Sequence, residues 1–413
     1  MVAIKSWTVS DPIKAESGIT PSASHNLAID YLRGFLTLMV LAFHSFLAYL
    51  PVAPSPPASL LAIPRWWGAF PVVDSGRWFG FLVFVAFFEL FAMPLMFLLS
   101  GLFLWPSLAR KGLPRFLRDR FFRLGVPFFI AFAIIPLCAY YPTFLQTGSP
   151  GGFHEYWRQW LALGYWPTAH LWFLSLLLAF DCLVAVTLAV LPAAGSWLGD
   201  VIASLCRPSR LFAAVVLIAG AIYLPMALRF GVSAWWTFGP LNVQISRVFL
   251  YLFVFLLGVG WGTRGLERSH LSRSGPLAKK WLGWAIFAVI PFLFTLALAL
   301  LTINTHSGFD PPRVWNAIQA MAYVISCMAL CFASLALFLR FAQRRLPVFD
   351  SLCENAYGMY LVHYLFVTWL QFSLLQWAIS PVVKGMFVFL CTVALSWIAT
   401  ITLRCIPVAG RWI

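Results

Sequence analysis

Ten apolar runs, each close to the length needed to cross a bilayer, punctuate the chain between residues 27 and 405. They fall at about 27–50, 80–105, 121–141, 170–192, 210–228, 244–262, 281–302, 314–340, 355–378 and 383–405. A helix rising ~1.5 Å per residue needs about 20 such residues to span a ~30 Å hydrocarbon layer. Backbone polar groups cannot stay unpaired in lipid, so only helices and closed barrels span it. No period-two alternation marks strands here. The chain therefore reads as all-α, a polytopic transmembrane bundle of about ten helices over 27–405, between an N-terminal tail 1–26 and a short C-terminal tail 406–413. Its charged fraction, 10%, supports this, since a soluble domain carries roughly 25%. The first run follows a polar leader with no short apolar core before a cleavage site, and reads as a retained anchor.

The net charge of +15 invites a nucleic-acid reading, but its distribution excludes one. Sorted by alternate loops, 20 of the 28 Lys and Arg fall on one side and six on the other, with Arg33 and Arg247 inside helices. By the positive-inside rule the 20-residue side is cytoplasmic. This predicts a multi-pass protein of the cytoplasmic (inner) membrane with both termini in the cytoplasm; its partner is the lipid bilayer, not nucleic acid. The eight cysteines form no CxxC pair and no Cys/His metal spacing, so neither a disulfide framework nor a metal site is implied. The outer loops are rich in aromatic residues, among them Trp66, Trp67, Trp157, Trp160, Trp166, Trp235 and Trp236. Two readings stand: an interfacial aromatic belt, or a stacking platform for sugar rings near His154, Glu155, Arg158 and His170.

Ionisable groups inside apolar spans cost at least ~2.5–3.5 kcal/mol each on insertion scales and mark functional candidates. The first span carries Asp30, Arg33 and His44. Asp30 and Arg33 sit one turn apart, and His44 lies ~16 Å further along the helix. A buried neutral histidine and a proton-handling one are both open. Glu89, ~12 Å below the outer face, lies at a depth similar to His44 at ~9 Å, which makes it a candidate carboxylate partner. Ser100 and Gly101 permit close helix approach. The loop that follows carries Arg110, Lys111, Arg115, Arg118, Arg120 and Arg123, more cations than topology needs, and guanidinium forks suit a polyphosphate. His363, ~12 Å above the inner face by its span, falls near the depth of Arg33. His170 and Trp172 open the fourth span, and Arg247 sits just inside the outer end of the sixth.

These residues resemble the motifs of the acyltransferase-3 family of membrane O-acyltransferases. Asp30-Tyr-Leu-Arg33-Gly, with His44 eleven positions after the arginine, is similar to its first-helix motif. Phe97-Leu-Leu-Ser100-Gly101-Leu-Phe is similar to the second-helix signature, and Arg120-Phe-Phe-Arg123-Leu-Gly-Val-Pro to the paired arginines before the third helix. His170-Leu-Trp-Phe-Leu and Tyr360-Leu-Val-His363 resemble later motifs, and also the subgroup that includes periplasmic glucan succinyltransferases. The resemblance runs from about Asn26 to Arg404 in the family's order.

The resemblance implies transfer of an acyl group, of acetyl or succinyl type, from cytoplasmic acyl-CoA to a carbohydrate or glycan hydroxyl on the far side, without a metal. It makes His44 the catalytic histidine, Arg33 its motif partner, and Arg120 and Arg123 holders of the CoA phosphates. With Arg115, Arg118 and His363 they form the expected acyl-CoA site; His170, Trp172 and Arg247 form the expected acceptor site. Glu89 rests on depth alone. His44 then either deprotonates the acceptor or is itself acylated first. The rival reading is a proton-coupled transporter or exporter, which also uses intramembrane His, Glu and Arg. No repeat relates the two halves of this sequence, as many transporters require.

Overall fold

A computed structural model describes residues 26–238, 241–305 and 312–407. The long helices are α1 (Leu27–Phe46), α2 (Phe79–Gly101), α3 (Leu113–Gln146), α4 (Trp172–Val190), α5 (Pro208–Phe230), α6 (Val248–Arg264), α7 (Trp281–Thr305), α8 (Arg313–Phe341), α9 (Pro347–Ser373) and α10 (Pro381–Cys405). All but α6 and α9 are long and apolar enough to cross a membrane. The protein is a multi-pass membrane bundle. The predicted tails, with Lys5, Lys14 and Arg411, lie outside the described residues but for their inner ends, as does loop 306–311.

The helix α9 explains why hydropathy alone underrates it. It carries Asn355, His363, Thr368 and Gln371, all buried, so its polar residues face protein and not lipid. It also starts at Pro347, eight residues before the expected boundary of 355. Proline at the first helical turn loses no hydrogen bond there. The sequence boundary followed the apolar run, whereas the helix extends beyond it through Asp350 and Glu354.

Burial sorts centre from rim. Buried residues make up 78% of the most apolar stretch of α8 and 72% of that of α1, against 11% in α7. Two close crossings set the centre. A Cβ on Gly34 would strike Cys353 Sγ, so this glycine lets α1 approach α9. Gly101 faces the Phe255 carbonyl, while Gly258 and Gly262 face the carbonyls of Leu98 and Leu102. The Gly258-x-x-x-Gly262 spacing and Gly101 thus bring the backbones of α2 and α6 together, as small residues do in membranes.

One end of the bundle carries the basic loops, and there α2 continues through a short helix (Leu104–Lys111) to Gly112. Gly112 has φ +72, a left-handed value suited to glycine, and turns the chain into α3. Lys111 Nζ lies 2.6 Å from Asp119 Oδ2 across that turn. A five-residue π turn, Phe121–Gly125, then widens α3. The opposite, aromatic end is covered by segment 51–78, which is stitched to segment 140–163. Gln159 accepts from the Leu60 amide at 3.1 Å, Thr143 donates to the Pro71 carbonyl at 2.6 Å, and Tyr140 donates to the Gly68 carbonyl at 3.0 Å. A buried ion pair, Lys384 Nζ to Asp74 Oδ2 at 2.7 Å, ties the same cover to α10. This end also carries a short stretch of extended chain. Trp235–Phe238 and Leu241–Gln244 form a small antiparallel hairpin, pairing Trp235 with Gln244 and Trp236 with Val243. Aromatic and β-branched residues favour such extended pairing, although the run is too short to show alternation.

Candidate active site

His44 lies near the end of α1, with its Nδ1 2.9 Å from the Val40 carbonyl and 3.1 Å from His363 Nε2. His363 Nδ1 is in turn 2.7 Å from the Tyr360 carbonyl. His170 closes the group: its ring centroid is 4.5 Å from that of His363 and 6.2 Å from that of His44. Three imidazoles from α1, α9 and the turn before α4 therefore meet inside the bundle. On α9, Tyr360, His363, Tyr364 and Gln371 share one face by helical spacing. Tyr364 stands edge-on to His44 at 5.1 Å, and Gln371 donates to the His44 carbonyl at 2.9 Å. His170 is presented by Ala169, whose φ of +48 is strained for a residue other than glycine. Tyr360 donates to the His170 carbonyl at 2.5 Å and holds that turn.

Access differs within the group. His363 is 0% and His170 4% exposed, whereas His44 is only half-buried. His44 is the imidazole that an incoming molecule can reach. Its neighbourhood departs from expectation in two ways. His363 does not sit at the depth of Arg33; the earlier start of α9 raises it by about two turns, onto His44. Glu89 does not pair with His44. Phe88 takes the face of α2 turned toward α1, its ring tilted against Phe43 at 4.7 Å, and the next residue points ~100° away. Glu89 Oε2 instead lies 3.4 Å from Arg247 Nη1.

Arg247 is buried and further held by Gln244 Oε1 at 3.0 Å and by the Tyr323 ring, 4.4 Å from its guanidinium carbon. Tyr251 also donates to Gln244, at 2.9 Å, and stacks on Trp172 at 6.1 Å. Trp172 thus stands between the Arg247 cluster and the histidines, two residues after His170. Of the aromatic platform, Trp67 and Trp160 are buried, whereas Trp66, Trp157, Trp235 and Trp236 are exposed. His170 does not join His154, Glu155 and Arg158. Glu155 is committed to Arg158 at 2.7 Å and to Gln159 at 2.8 Å, which hold its carboxyl down at about 2.

Toward the basic end, Arg33 is exposed despite its largely buried helix, its guanidinium 5.6 Å from the Phe103 ring. Arg120 and Arg123 lie within electrostatic reach of it. The π turn and Tyr357, which donates to the Arg123 carbonyl at 2.8 Å, fix these arginines against α9. Arg120 is partly neutralised by Asp181 of α4, at 3.3 Å; Arg123 is exposed and forms no ion pair among the described residues. Arg115 and Arg118 stay on the exposed side beside Asp119, apart from this group. Sequence reasoning leaves out Asp181, although a carboxylate in an apolar run is the same signal that marks Glu89.

An arginine group at one end and a reachable histidine ~16 Å above it are what the expected family requires. A family model described as an acyltransferase domain matches residues 26–401. The chain belongs to the acyltransferase-3 family. No curated protein and no solved structure matches it. Membership makes the protein a membrane acyltransferase and sets the transporter reading aside. The match to this acyltransferase family spans nearly the whole membrane bundle.

Proposed function

We propose that this acyltransferase moves an acetyl- or succinyl-type group from cytoplasmic acyl-CoA to a hydroxyl of an extracytoplasmic carbohydrate or glycan, within the cytoplasmic membrane. One observation carries the proposal. His44 is the accessible member of a buried imidazole group and stands ~16 Å along α1 from Arg33, which has Arg120 and Arg123 within electrostatic reach. The surplus of Lys and Arg on the loops at the arginine end supports its cytoplasmic placement.

The arginines hold the CoA phosphates through bidentate, charge-assisted hydrogen bonds. The pantetheine arm then runs up beside Arg33 and brings the thioester carbonyl to His44. His44 takes the proton of the acceptor hydroxyl while that oxygen bonds the carbonyl carbon. The carbon–sulfur bond breaks, and the CoA thiolate leaves with the proton that His44 received. Atoms balance as thioester plus alcohol giving ester plus thiol. The acceptor enters from the aromatic end, past Trp172 and the Arg247 cluster, with the exposed tryptophans as stacking surfaces.

The test is a sided one. Protein in proteoliposomes receives labelled acyl-CoA only at the face bearing Arg123, and a soluble oligosaccharide only at the other. Ester formation across the bilayer is expected, with no labelled protein when the acceptor is left out. Transfer only to acceptors on the acyl-CoA side would overturn the transmembrane path.

A further inference from the structure

We infer that His363 is a positioning residue that holds His44 with its proton on Nδ1, so that Nε2 is the nitrogen that takes the acceptor's proton. The inference rests on the proposed role of His44 and adds which ring nitrogen works and what keeps it so.

Hydrogen positions follow from the partners. A carbonyl can only accept, so His363 Nδ1, 2.7 Å from the Tyr360 carbonyl, carries a proton. In a neutral imidazole the other nitrogen is then a bare acceptor. That nitrogen, His363 Nε2, lies 3.1 Å from His44 Nδ1. His44 Nδ1 also lies 2.9 Å from the Val40 carbonyl, a second acceptor. Both neighbours demand a proton from the same atom, so His44 is the Nδ1–H tautomer and its Nε2 presents a lone pair. The direction runs one way, from His44 Nδ1–H to His363 Nε2 and from His363 Nδ1–H to the Tyr360 carbonyl.

This chain does what an orienting carboxylate does in a Ser-His-Asp triad, with a neutral ring in place of the anion. When His44 Nε2 accepts a proton, the imidazolium keeps its Nδ1–H on His363, and the positive charge is shared with a polarisable neighbour. Glu89 does not supply this, because it is occupied by Arg247. Among the described residues, the rings facing His44 are His363 and Tyr364 from α9 and His170 from the turn before α4, while Phe88 of α2 reaches it through Phe43. His170 backs the arrangement. Its Nε2 lies 3.2 Å from the Leu361 carbonyl and its ring packs on His363, so His363 cannot turn away from His44.

The test compares His363→Gln with His363→Ala in purified protein, measuring kcat and the KM for acyl-CoA. The Gln amide oxygen reproduces an acceptor near the Nε2 position but cannot take a proton. His363→Ala should lose at least roughly tenfold in kcat with KM for acyl-CoA within about twofold, as expected for loss of an orienting partner. His363→Gln should recover most of that loss. Equal inactivity of both variants, in protein that still binds acyl-CoA, would overturn positioning and make His363 itself the proton carrier. Wild-type kcat in His363→Ala would overturn it as well. A second readout needs no variant: in the 15N spectrum of histidine-labelled wild type, His44 should show the Nδ1–H tautomer, and an Nε2–H signature sinks the inference. His44→Gln separates the two levels. If it is active, the proposed function falls; if it is inactive and His363→Gln is too, only the positioning role falls.

Discussion

Arg120 and Arg123 stand three residues apart, yet their surroundings give them different work. Arg120 answers Asp181, which is 1% exposed, while Arg123 is exposed and uncommitted among the described residues. Replacing Arg123 with Ala should therefore weaken acyl-CoA binding by roughly 1.5–3 kcal/mol, one charge-assisted contact, and leave thermal stability close to wild type. Replacing Arg120 should weaken binding and also strand a buried carboxylate, which lowers the melting temperature. Equal melting temperatures for the two variants, measured in detergent, would contradict this division. His44 and Arg33 stand out in the sequence as candidates because lone ionisable groups are rare in apolar runs, and Arg120 and Arg123 because they close a six-cation loop. Pairing is not legible there. A rise of ~1.5 Å per residue fixes depth along a helix but not rotation about it, so Glu89 matched His44 in depth and yet faces Arg247.

At the level of elements, polar content and glycine spacing decide the packing. The α9 helix is less apolar than its neighbours because its buried polar residues serve the interior. Its existence was readable from the sequence; its true start at Pro347, and with it the meeting of His363 and His44, was not. The π turn at Phe121–Gly125 has no sequence signature at all. The crossing of α2 and α6 was half legible, through Ser100 and Gly101, while Gly258 and Gly262 supply the other half. Gly258→Ala places a methyl against the Leu98 carbonyl and should cost about 1–3 kcal/mol, as overpacking does. Thermal unfolding should show that loss. An unchanged midpoint would mean that the two backbones separate freely, and that the crossing does not hold the site.

Across the whole molecule, a basic end and an aromatic end lie on opposite sides of one imidazole group. In the proposed function, the loop charges that predict the bundle's orientation place the donor in the cytoplasm and the acceptor on the far side. Reporter fusions after Gly112, Arg207, Gly265 and Arg344 should report cytoplasm, and those near Pro56, Gly151 and Ser233 the outside. Two adjacent loops reporting one side would break this orientation. The central claim is that His44 handles the proton between those ends, and His44→Gln tests it most directly. Glutamine keeps much of the size and some hydrogen bonding but accepts no proton at neutral pH. The measurement is the rate of acyl transfer by purified His44→Gln, alongside its affinity for acyl-CoA. A fall of ~10²–10⁴-fold in rate with unchanged affinity is predicted; transfer near the wild-type rate would contradict the account.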